Sequence, residues 1–192
     1  LNAVDKIKDL EIECICNGHG PVIRTNPQKY IEMYKGWATV DKPSRPRVLV
    51  AYLSSYVYTK QVAGKIIEGL KAAGNVDVHE FDLLQKTPEN VVSELGNASG
   101  ILLGSPTLVG DTLPPVWDIL KSINPNINKG LLAGAFGSYG WSGEAVPNIE
   151  GRFKQLRLKV PVPGLRVCFK PDENQLADAY NFGLEFGKAV LG

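Results

Sequence analysis

The chain has 192 residues, with 21 Lys or Arg against 20 Asp or Glu, so its formal net charge is +1 at pH 7. This length fits one domain with residues to spare, since single domains run to roughly 100–150 residues. The basic residues are dispersed and form no cationic stripe, which argues against nucleic acid and membrane surfaces as partners. No apolar run approaches the roughly 20 residues that cross a bilayer, so we expect no transmembrane helix.

The cysteines and the N-terminus indicate the compartment. Cys14, Cys16 and Cys168 are too few for a disulfide framework, and an odd number fits a reducing environment. Acidic residues precede any apolar run near the N-terminus, so the sequence lacks the pattern of a signal peptide. We therefore expect a cytoplasmic protein. Because the sequence begins at Leu1 and not at Met, we also expect it to be a piece of a longer one.

A linker is predicted at residues 41–47, where two prolines and three basic residues interrupt both helical and strand periodicity. We place the domain boundary there, with an N-terminal extension over residues 1–43 and the main domain over residues 44–192. Such a boundary implies two pieces that pack separately.

Strand-like runs alternate with helix-like runs after the linker. Residues 47–52 form a near-continuous apolar run of strand length, and apolar residues then recur at helical spacing from Thr59 to Ala73, before Gly74 at a C-cap position. Four further strands are predicted at 76–81, 100–104, 130–136 and 165–169. Thr87 is a predicted N-cap with Pro88 at the first helical position, and the other three helices are predicted to begin after Pro115, at about Gly143 and at Glu173.

Five such units predict a doubly wound α/β domain with a five-stranded parallel sheet covered on both faces. Ligands of such sheets bind at the carboxyl ends of the strands, near the point where the strand order reverses. The loops that follow the first, third and fourth strands are therefore the candidates for function.

The loop after the first strand, residues 53–59, is rich in hydroxyl groups. Hydroxyls and backbone N–H groups at a helix N-terminus can hold a phosphate without Lys or Arg. The glycines and lysine of a P-loop are missing, and no dinucleotide fingerprint follows a strand. The alternative is a Ser- and Thr-rich helix cap with no ligand.

The other two loops are rich in glycine. Residues 104–115 also carry several prolines, which can fix an irregular backbone that presents N–H and C=O groups to the edge of a flat ligand, although many loops have this composition. Residues 136–146 interleave three glycines with Tyr139 and Trp141, which are costly as exposed surface unless they pack on something flat. The alternative is that both rings cover the adjacent helix. A phosphate site and an aromatic wall at one edge fit FMN better than any other cofactor.

At these residues the sequence resembles the flavodoxin-like domain of flavodiiron proteins, also called A-type flavoproteins. The likeness rests on Gly-Ser-Pro-Thr at 104–107 and above all on Phe-Gly-Ser-Tyr-Gly-Trp-Ser-Gly-Glu-Ala-Val at 136–146. It implies a flavodoxin-like strand order of 2-1-3-4-5. Residues 1–40 resemble the tail of the metallo-β-lactamase-like domain that precedes the flavodoxin-like one in that family, with His19 at the position of its last iron-ligating histidine.

The resemblance also implies which residues hold FMN. The implied contacts lie on all three loops: Ser54, Ser55, Tyr56, Val57, Tyr58, Thr59, Pro106, Thr107, Leu108, Gly110, Ser138, Tyr139, Gly140, Trp141 and Gly143.

Two positions depart from the family pattern. Val57 stands where the phosphate loop has Gly, and a β-branched residue does not readily take the positive φ that glycine allows. Val109-Gly110 replaces an Asn that many members carry in the second loop. The first departure predicts either a distorted phosphate site or weaker flavin occupancy.

A di-iron centre needs about half a dozen imidazole and carboxylate ligands, and the chain has only His19 and His79. His19 can serve as a metal ligand only with an upstream domain, so a di-iron centre is expected only in the intact family protein. His79 is interpreted as a strand histidine without a partner. Cys14 and Cys16 lack the other two ligands of a zinc site and are interpreted as packing residues on a strand.

The resemblance implies an FMN-binding electron-transfer module of a flavodiiron-type O₂ or NO reductase. Its donor would be a rubredoxin or an NAD(P)H-dependent reductase, and its acceptor a di-iron site reached across a head-to-tail homodimer. Alone, such a module is an electron carrier and not a complete enzyme. Two alternatives remain open: a free-standing NAD(P)H:quinone or flavin oxidoreductase, and a flavin-free domain that serves only interactions.

Overall fold

The structure, a computed structural model, describes residues 2–7, 9–38 and 43–192. The chain divides into two compact units, residues 1–42 and residues 43–192. Residues 41 and 42 of the predicted linker lie outside the described residues. No described helix is both long and apolar enough to cross a bilayer.

The smaller unit contains two helices, α1 (Asn2–Ile7) and α2 (Pro27–Ala38). Between them Ile15 and Ile23 form an isolated antiparallel β-bridge. Cys14 and Cys16 flank this bridge and are exposed, so their interpretation as packing residues on a strand is wrong. A single bridged residue gives no strand whose covered face could bury them.

The larger unit is built on a five-stranded, all-parallel sheet in the order β2-β1-β3-β4-β5, which confirms the predicted flavodoxin-like fold. Its strands are β1 (Arg47–Tyr52), β2 (Asp77–Asp82), β3 (Gly100–Gly104), β4 (Leu132–Tyr139) and β5 (Leu165–Cys168). Its helices are α3 (Tyr58–Ala72), α4 (Pro88–Val92), α5 (Pro114–Ser122), α6 (Ala145–Gln155) and α7 (Glu173–Leu191).

Helices cover both faces of the sheet and bury a core on each. On one face Ile119 of α5 and Phe153 of α6 are fully buried. On the other face Ile66 of α3 and Phe186 of α7 are fully buried. Every residue of β3 is buried, as expected for the central strand of a doubly wound sheet.

Helices α3 and α7 pack backbone against backbone. A Cβ on Gly183 would lie 2.1 Å from the carbonyl oxygen of Ile66, and one on Gly69 would lie 2.0 Å from that of Tyr180. Only glycine permits this approach. The contact fixes the axis of α3 and therefore the direction in which its N-terminus points.

Strand β4 continues three residues beyond the predicted end at Phe136. The reason is its pairing with β5, in which residues 136–139 lie opposite residues 165–168. Gly137, Ser138 and Tyr139 are therefore strand residues, and the third loop is shorter than predicted.

His79 has partners that the sequence did not reveal. Its Nε2 lies 3.2 Å from Oδ2 of Asp77, and its Nδ1 contacts Oε2 of Glu94. Arg47 bonds to the same two carboxylates, at 3.0 Å from Asp77 and 3.5 Å from Glu94. His79 does lie on β2, as predicted, but the expectation that it has no partner is wrong, because the turn before β3 returns Glu94 to the edge of β2.

Candidate functional site

The loops that leave β1, β3 and β4 meet at the carboxyl edge of the sheet, where they enclose two adjoining clefts. The narrower cleft has a volume of about 160 Å³ and the wider one about 490 Å³. Thr107, Gly140 and Phe169 line both. The wider cleft alone is in the size range of small-molecule sites, which run to roughly 300–1,000 Å³.

Hydroxyl groups fix the N-terminus of α3 at one side of this edge. The buried Ser54 accepts a hydrogen bond from the backbone N–H of Lys60 at 3.1 Å. Thr59 is only 1% exposed, and its Oγ1 lies 2.8 Å from Oγ of Ser138 on β4. The first N–H groups of a helix lack acceptors within the helix. This arrangement therefore offers backbone and hydroxyl donors to an anion.

Val57, the residue immediately before α3, has a φ of 69° and lies in the left-handed region. The backbone thus keeps the conformation for which glycine is the usual choice, although a β-branched side chain occupies the position. The side chain is 56% exposed, so packing contributes little to holding it there. Val57 is therefore a strained residue at the start of the helix.

We expect Val57→Gly to raise the free energy of unfolding by about 0.5–1 kcal/mol, because it relieves the left-handed strain while adding some backbone entropy to the unfolded chain. Affinity for added FMN should rise in the same variant. Val57→Ala retains a Cβ, so its gains in stability and in FMN affinity should both be smaller than those of Val57→Gly. Thermal unfolding and flavin fluorescence titration measure both effects, and unchanged FMN affinity in Val57→Gly would show that the loop has adapted to valine.

The second loop turns sharply at its tip. Leu108 and Asp111 exchange two backbone hydrogen bonds, of 2.9 and 3.1 Å. Val109 and Gly110 between them have φ values of 53° and 71°, the sign pattern of a type I′ turn. Val109 is 97% exposed. The turn projects an apolar tip beside the wider cleft.

Asp111 attaches this turn to two helices. Its Oδ1 accepts hydrogen bonds from the backbone N–H of Thr112 at 2.7 Å and from Nδ2 of Asn148 on α6 at 2.8 Å. Its Oδ2 accepts one from Nε1 of Trp117 on α5 at 3.2 Å. Partial burial alone would raise the pKa of Asp111, but the bonds from Asn148, Thr112 and Trp117 outweigh it and hold that pKa below its ordinary value.

Thr107 joins the second and third loops. Its backbone N–H donates to the carbonyl oxygen of Ser138 at 3.0 Å, which extends the pairing of β3 with β4 past the end of β3. Its Oγ1 accepts from the backbone N–H of Ala145, the first residue of α6, at 3.1 Å. One side chain therefore ties the second loop to the start of the helix that follows the third.

Aromatic rings surround the clefts. The ring of Phe169 packs over Gly140, where an added Cβ would lie 2.9 Å from it, and the ring of Tyr139 packs over Gly143 in the same way. Trp141 is 96% exposed, so it neither fills the cleft nor covers the neighbouring helix. Flat apolar surface is thus left open at this edge.

Most of the predicted site residues line the clefts: Ser55, Tyr56, Tyr58, Pro106, Thr107, Leu108, Gly110, Ser138, Tyr139, Gly140 and Trp141. The others, Ser54, Val57, Thr59 and Gly143, do not line them. Ser54, Val57 and Thr59 shape the start of α3, and Gly143 supports Tyr139. Their contacts with a flavin stay predictions.

Four residues of this site were not among those predicted from the sequence: Val109 and Ser142, which line the wider cleft, Phe169 and Asp111. Phe169 comes directly after β5 and lines both clefts, although only three loops were expected to contribute. Its position as the last residue of the predicted strand 165–169, at the same edge of the sheet, was the available signal. Asp111 was missed because its three donors come from different elements, and nothing local in the sequence indicates them.

The predicted metal ligand His19 lies in the smaller unit and is exposed. Within residues 2–7, 9–38 and 43–192, no three or more His, Cys, Asp or Glu side chains are grouped so that they could hold a metal ion. A metal-binding role of His19 therefore stays a prediction that depends on ligands from elsewhere.

The residues of the edge fit a mononucleotide with a large planar ring. Neutral hydroxyl and backbone donors at the start of α3 match a phosphate, and the open aromatic surface beside the clefts matches a ring. The nearest side-chain cation on α3, Lys60, is already paired with Asp82 at 3.0 Å. Helix dipole and hydroxyl groups would carry most of the phosphate binding.

Comparison with known proteins identifies the family of this chain. The flavodoxin family model matches residues 50–183. The type A flavoprotein of Rhodobacter capsulatus is 34% identical in an alignment that covers 98% of this chain and 44% of that protein. A protein of Moorella thermoacetica named nitric oxide reductase is 33% identical, over 99% of this chain and 47% of that protein.

A solved structure supports the same family assignment. The flavodiiron protein from Giardia intestinalis superposes with a TM-score of 0.76 at 26% identity, over 99% of this chain and 47% of that one. The chain spans less than half the length of these relatives. It belongs to the flavodoxin family, and the homologues that cover nearly all of it are type A flavoproteins and flavodiiron proteins.

Proposed function

We propose that this chain is the FMN-binding electron-transfer module of a flavodiiron-type O₂ or NO reductase that works in the cytoplasm. The observation that carries the proposal is the convergence of the hydroxyl-rich start of α3 and an open aromatic cleft at one edge of a flavodoxin fold. The similarity to full-length flavodiiron proteins supports it.

The chain's own residues would bind and orient the cofactor. Ser54 and Thr59 hold the N-terminus of α3 in place, so that its N–H groups face the phosphate. Tyr139 and Trp141, which line the clefts, would stack on the ring, and Phe169, which lines both clefts, would cover one side of it. FMN bound there would accept reducing equivalents and release electrons singly.

The second loop would contact the edge of the ring through its backbone. Thr107 and Asp111 hold that loop by hydrogen bonds to β4, α5 and α6. A backbone fixed in this way presents N–H and C=O groups at constant positions, which is how a protein tunes the potential of a flavin.

Electrons would come from a rubredoxin or an NAD(P)H-dependent reductase and go to a di-iron site outside the described residues. We propose that residues 1–43 are the tail of a metallo-β-lactamase-like domain and that His19 is an iron ligand when that domain is present. In the intact protein a head-to-tail homodimer would bring the flavin of one protomer to the iron of its partner. Residues 44–192 would then be the flavodoxin-like domain.

The absorbance of the purified chain between 350 and 500 nm, before and after titration with FMN, tests the proposal. We expect a flavin spectrum and saturable quenching of FMN fluorescence. A colourless protein that does not quench FMN would instead identify a flavin-free interaction domain. Rapid oxidation of NADH by the chain alone would favour a free-standing reductase.

Thr59→Ala should weaken FMN binding by about 1–2 kcal/mol, because it removes a hydroxyl at the phosphate and leaves Ser138 without its hydrogen-bond partner. Thr59→Ser keeps the hydroxyl and should bind FMN nearly as the unchanged protein does. Fluorescence titration of the three proteins makes the comparison. Equal affinity of Thr59→Ala and Thr59→Ser would remove Thr59 from the phosphate site.

A further inference from the structure

Another cleft, of about 620 Å³, lies at the opposite edge of the sheet, where the chain enters β4. Lys129 lines it from the segment before β4, and Gln155 and Arg157 line it from the end of α6 and the residues after it. The eight residues of β4 separate it by roughly 20 Å or more from the clefts at the carboxyl edge. It is therefore no part of the site described above, and its size is within the roughly 300–1,000 Å³ of small-molecule sites.

The segments that form this cleft carry cations and no carboxylates. Residues 119–143 and residues 151–171 contain no Asp or Glu, although they hold eight of the 21 basic residues of the chain. Lys129 of the first segment and Arg157 of the second line the same cleft. Within the part of the chain that the structure describes, neither side chain forms an ion pair. Cations of this kind raise the local concentration of anions in a cleft.

Arg157 occupies a backbone position where glycine is the usual residue. Its φ is 57°, in the left-handed region. Its backbone N–H donates to the carbonyl oxygen of Lys154 at 3.0 Å, and that of Leu158 donates to the carbonyl oxygen of Phe153 at 3.0 Å. These two bonds end α6 in a Schellman motif, whose left-handed residue is most often glycine. The exposed Arg157 is therefore kept at a conformational cost that glycine would avoid.

The dipole of α6 explains only part of this charge. Arg152 and Lys154 lie in the last turn of α6, where cations stabilise the negative end of a helix. Lys129 belongs to a different segment, so the dipole gives no reason for its presence at the cleft. Oε1 of Gln155 accepts a hydrogen bond from Nη1 of Arg152 at 2.9 Å, which leaves the amide N–H groups of Gln155 as further donors. None of the described residues that line the cleft is acidic.

We propose that this cleft binds a small anion with at least two phosphate charges, such as a diphosphate. A guanidinium presents a planar fork of donors to phosphate oxygens, and a lysine adds a mobile positive charge. No aromatic ring is among the described lining residues, so the phosphate and not an attached base is the group that the cleft recognises. The site does not depend on the flavin or on the function proposed above.

Isothermal titration calorimetry of the purified chain with pyrophosphate tests the proposal. The salt should be 0.15 M NaCl, which screens exposed charges beyond about 8 Å. We expect saturable binding of pyrophosphate, and binding of ADP with similar affinity. Binding of ADP without binding of pyrophosphate would overturn the proposal. Binding of poly-glutamate without binding of pyrophosphate would also overturn it and would identify a surface for acidic peptides.

Arg157→Gly separates a binding role from a structural one. Glycine relieves the left-handed strain, so the urea midpoint of unfolding should rise. Pyrophosphate affinity should nevertheless fall roughly tenfold or more, because hydrogen bonds to a charged group are lost. Lys129→Gln should weaken binding by a similar factor and leave the midpoint unchanged. Unchanged pyrophosphate affinity in Arg157→Gly would overturn the proposal and place the binding at another site.

Lys188→Gln is the matched control. Lys188 is exposed on α7 and pairs with Glu185 at 2.7 Å, so this substitution removes one positive charge that does not line the cleft. Its affinity for pyrophosphate should equal that of the unchanged protein. Equal losses in Lys188→Gln and Lys129→Gln would show that net charge, and not the cleft, attracts the anion, and would overturn the proposal.

Discussion

Replacing Asp111 with alanine should lower the free energy of unfolding by about 2–4 kcal/mol, because three hydrogen bonds to a half-buried carboxylate are lost at once. The turn between Leu108 and Asp111 would then lose its attachment to α5 and α6. Since that turn lies beside the wider cleft, FMN affinity should fall roughly tenfold or more, which is at least about 1.4 kcal/mol. Urea unfolding of the FMN-free protein and FMN titration measure the two effects.

Asp118→Ala is the matched control. Asp118 is exposed on α5, and among the described residues its side chain pairs only with Lys121, at 3.0 Å, so its removal should change stability by about 0.5 kcal/mol or less. Loss of stability without any change in FMN affinity in Asp111→Ala would show that the turn does not take part in flavin binding.

The effect of Asp111 should also depend on pH. Its pKa in the folded protein lies below the ordinary value of 3.8. The contribution of Asp111 to the free energy of unfolding is therefore complete at a pH above that ordinary pKa and disappears as the pH falls through the folded pKa. Asp111→Asn cannot accept from all three donors at any pH. The difference in stability between the unchanged protein and Asp111→Asn should therefore be constant near neutral pH and shrink in acid. A difference that persists unchanged in acid would show that the carboxylate charge is not its cause.

The strands of the sheet were predictable because each has a local pattern in the sequence, whereas their order was implied by the resemblance to flavodiiron proteins. Residues 47–52 and 100–104 are short apolar runs bounded by breakers, which is the pattern of strands buried on both faces. The helix starts were equally local: Asn90 accepts a hydrogen bond from the backbone N–H of Thr87 at 2.9 Å, at the predicted cap. Chirality and connection rules then left few topologies to choose from.

The site was predictable only in part, because its support comes from residues distant in sequence. The loops could be placed at one edge from the fold alone, and their lining residues do lie together there. The bond between Thr59 and Ser138 joins residues 79 positions apart, and that between Asp111 and Asn148 joins residues 37 apart. Pairings of this kind depend on the final packing of α3, α5 and α6, which local patterns do not contain.

Val57 shows a different limit of sequence reasoning. The valine could be recognised as a departure from the usual glycine. The sequence does not say whether the backbone leaves the left-handed conformation or the valine adopts it under strain. The φ of 69° shows that the backbone conformation is kept and that the residue bears the strain. The bonds between Lys60 and Ser54 and between Thr59 and Ser138 hold the helix start where it is, so local preference is overridden.

Gly143→Ala should impair both folding and flavin binding. Gly143 has a φ of 76°, and an added Cβ would lie 2.9 Å from the ring of Tyr139. Left-handed strain and displacement of the ring should together lower the free energy of unfolding by about 2–3 kcal/mol. Because Tyr139 lines the narrower cleft, FMN affinity should fall with it. Thermal unfolding and FMN titration of the variant check both expectations.

Gly151→Ala is the control, since no described residue apart from its chain neighbours and the backbone of its own helix lies within 4 Å of the Cβ position of Gly151 in α6. Alanine there should stabilise the helix by about 0.5–1 kcal/mol. A double-mutant cycle then separates the effect of backbone strain at Gly143 from the effect of displacing the ring of Tyr139. If Gly143→Ala acts through the ring, Tyr139→Ala should weaken FMN binding by itself and Gly143→Ala should add little to it. Fully additive losses would show that the backbone at Gly143, and not the position of Tyr139, controls how tightly the cleft holds its ligand.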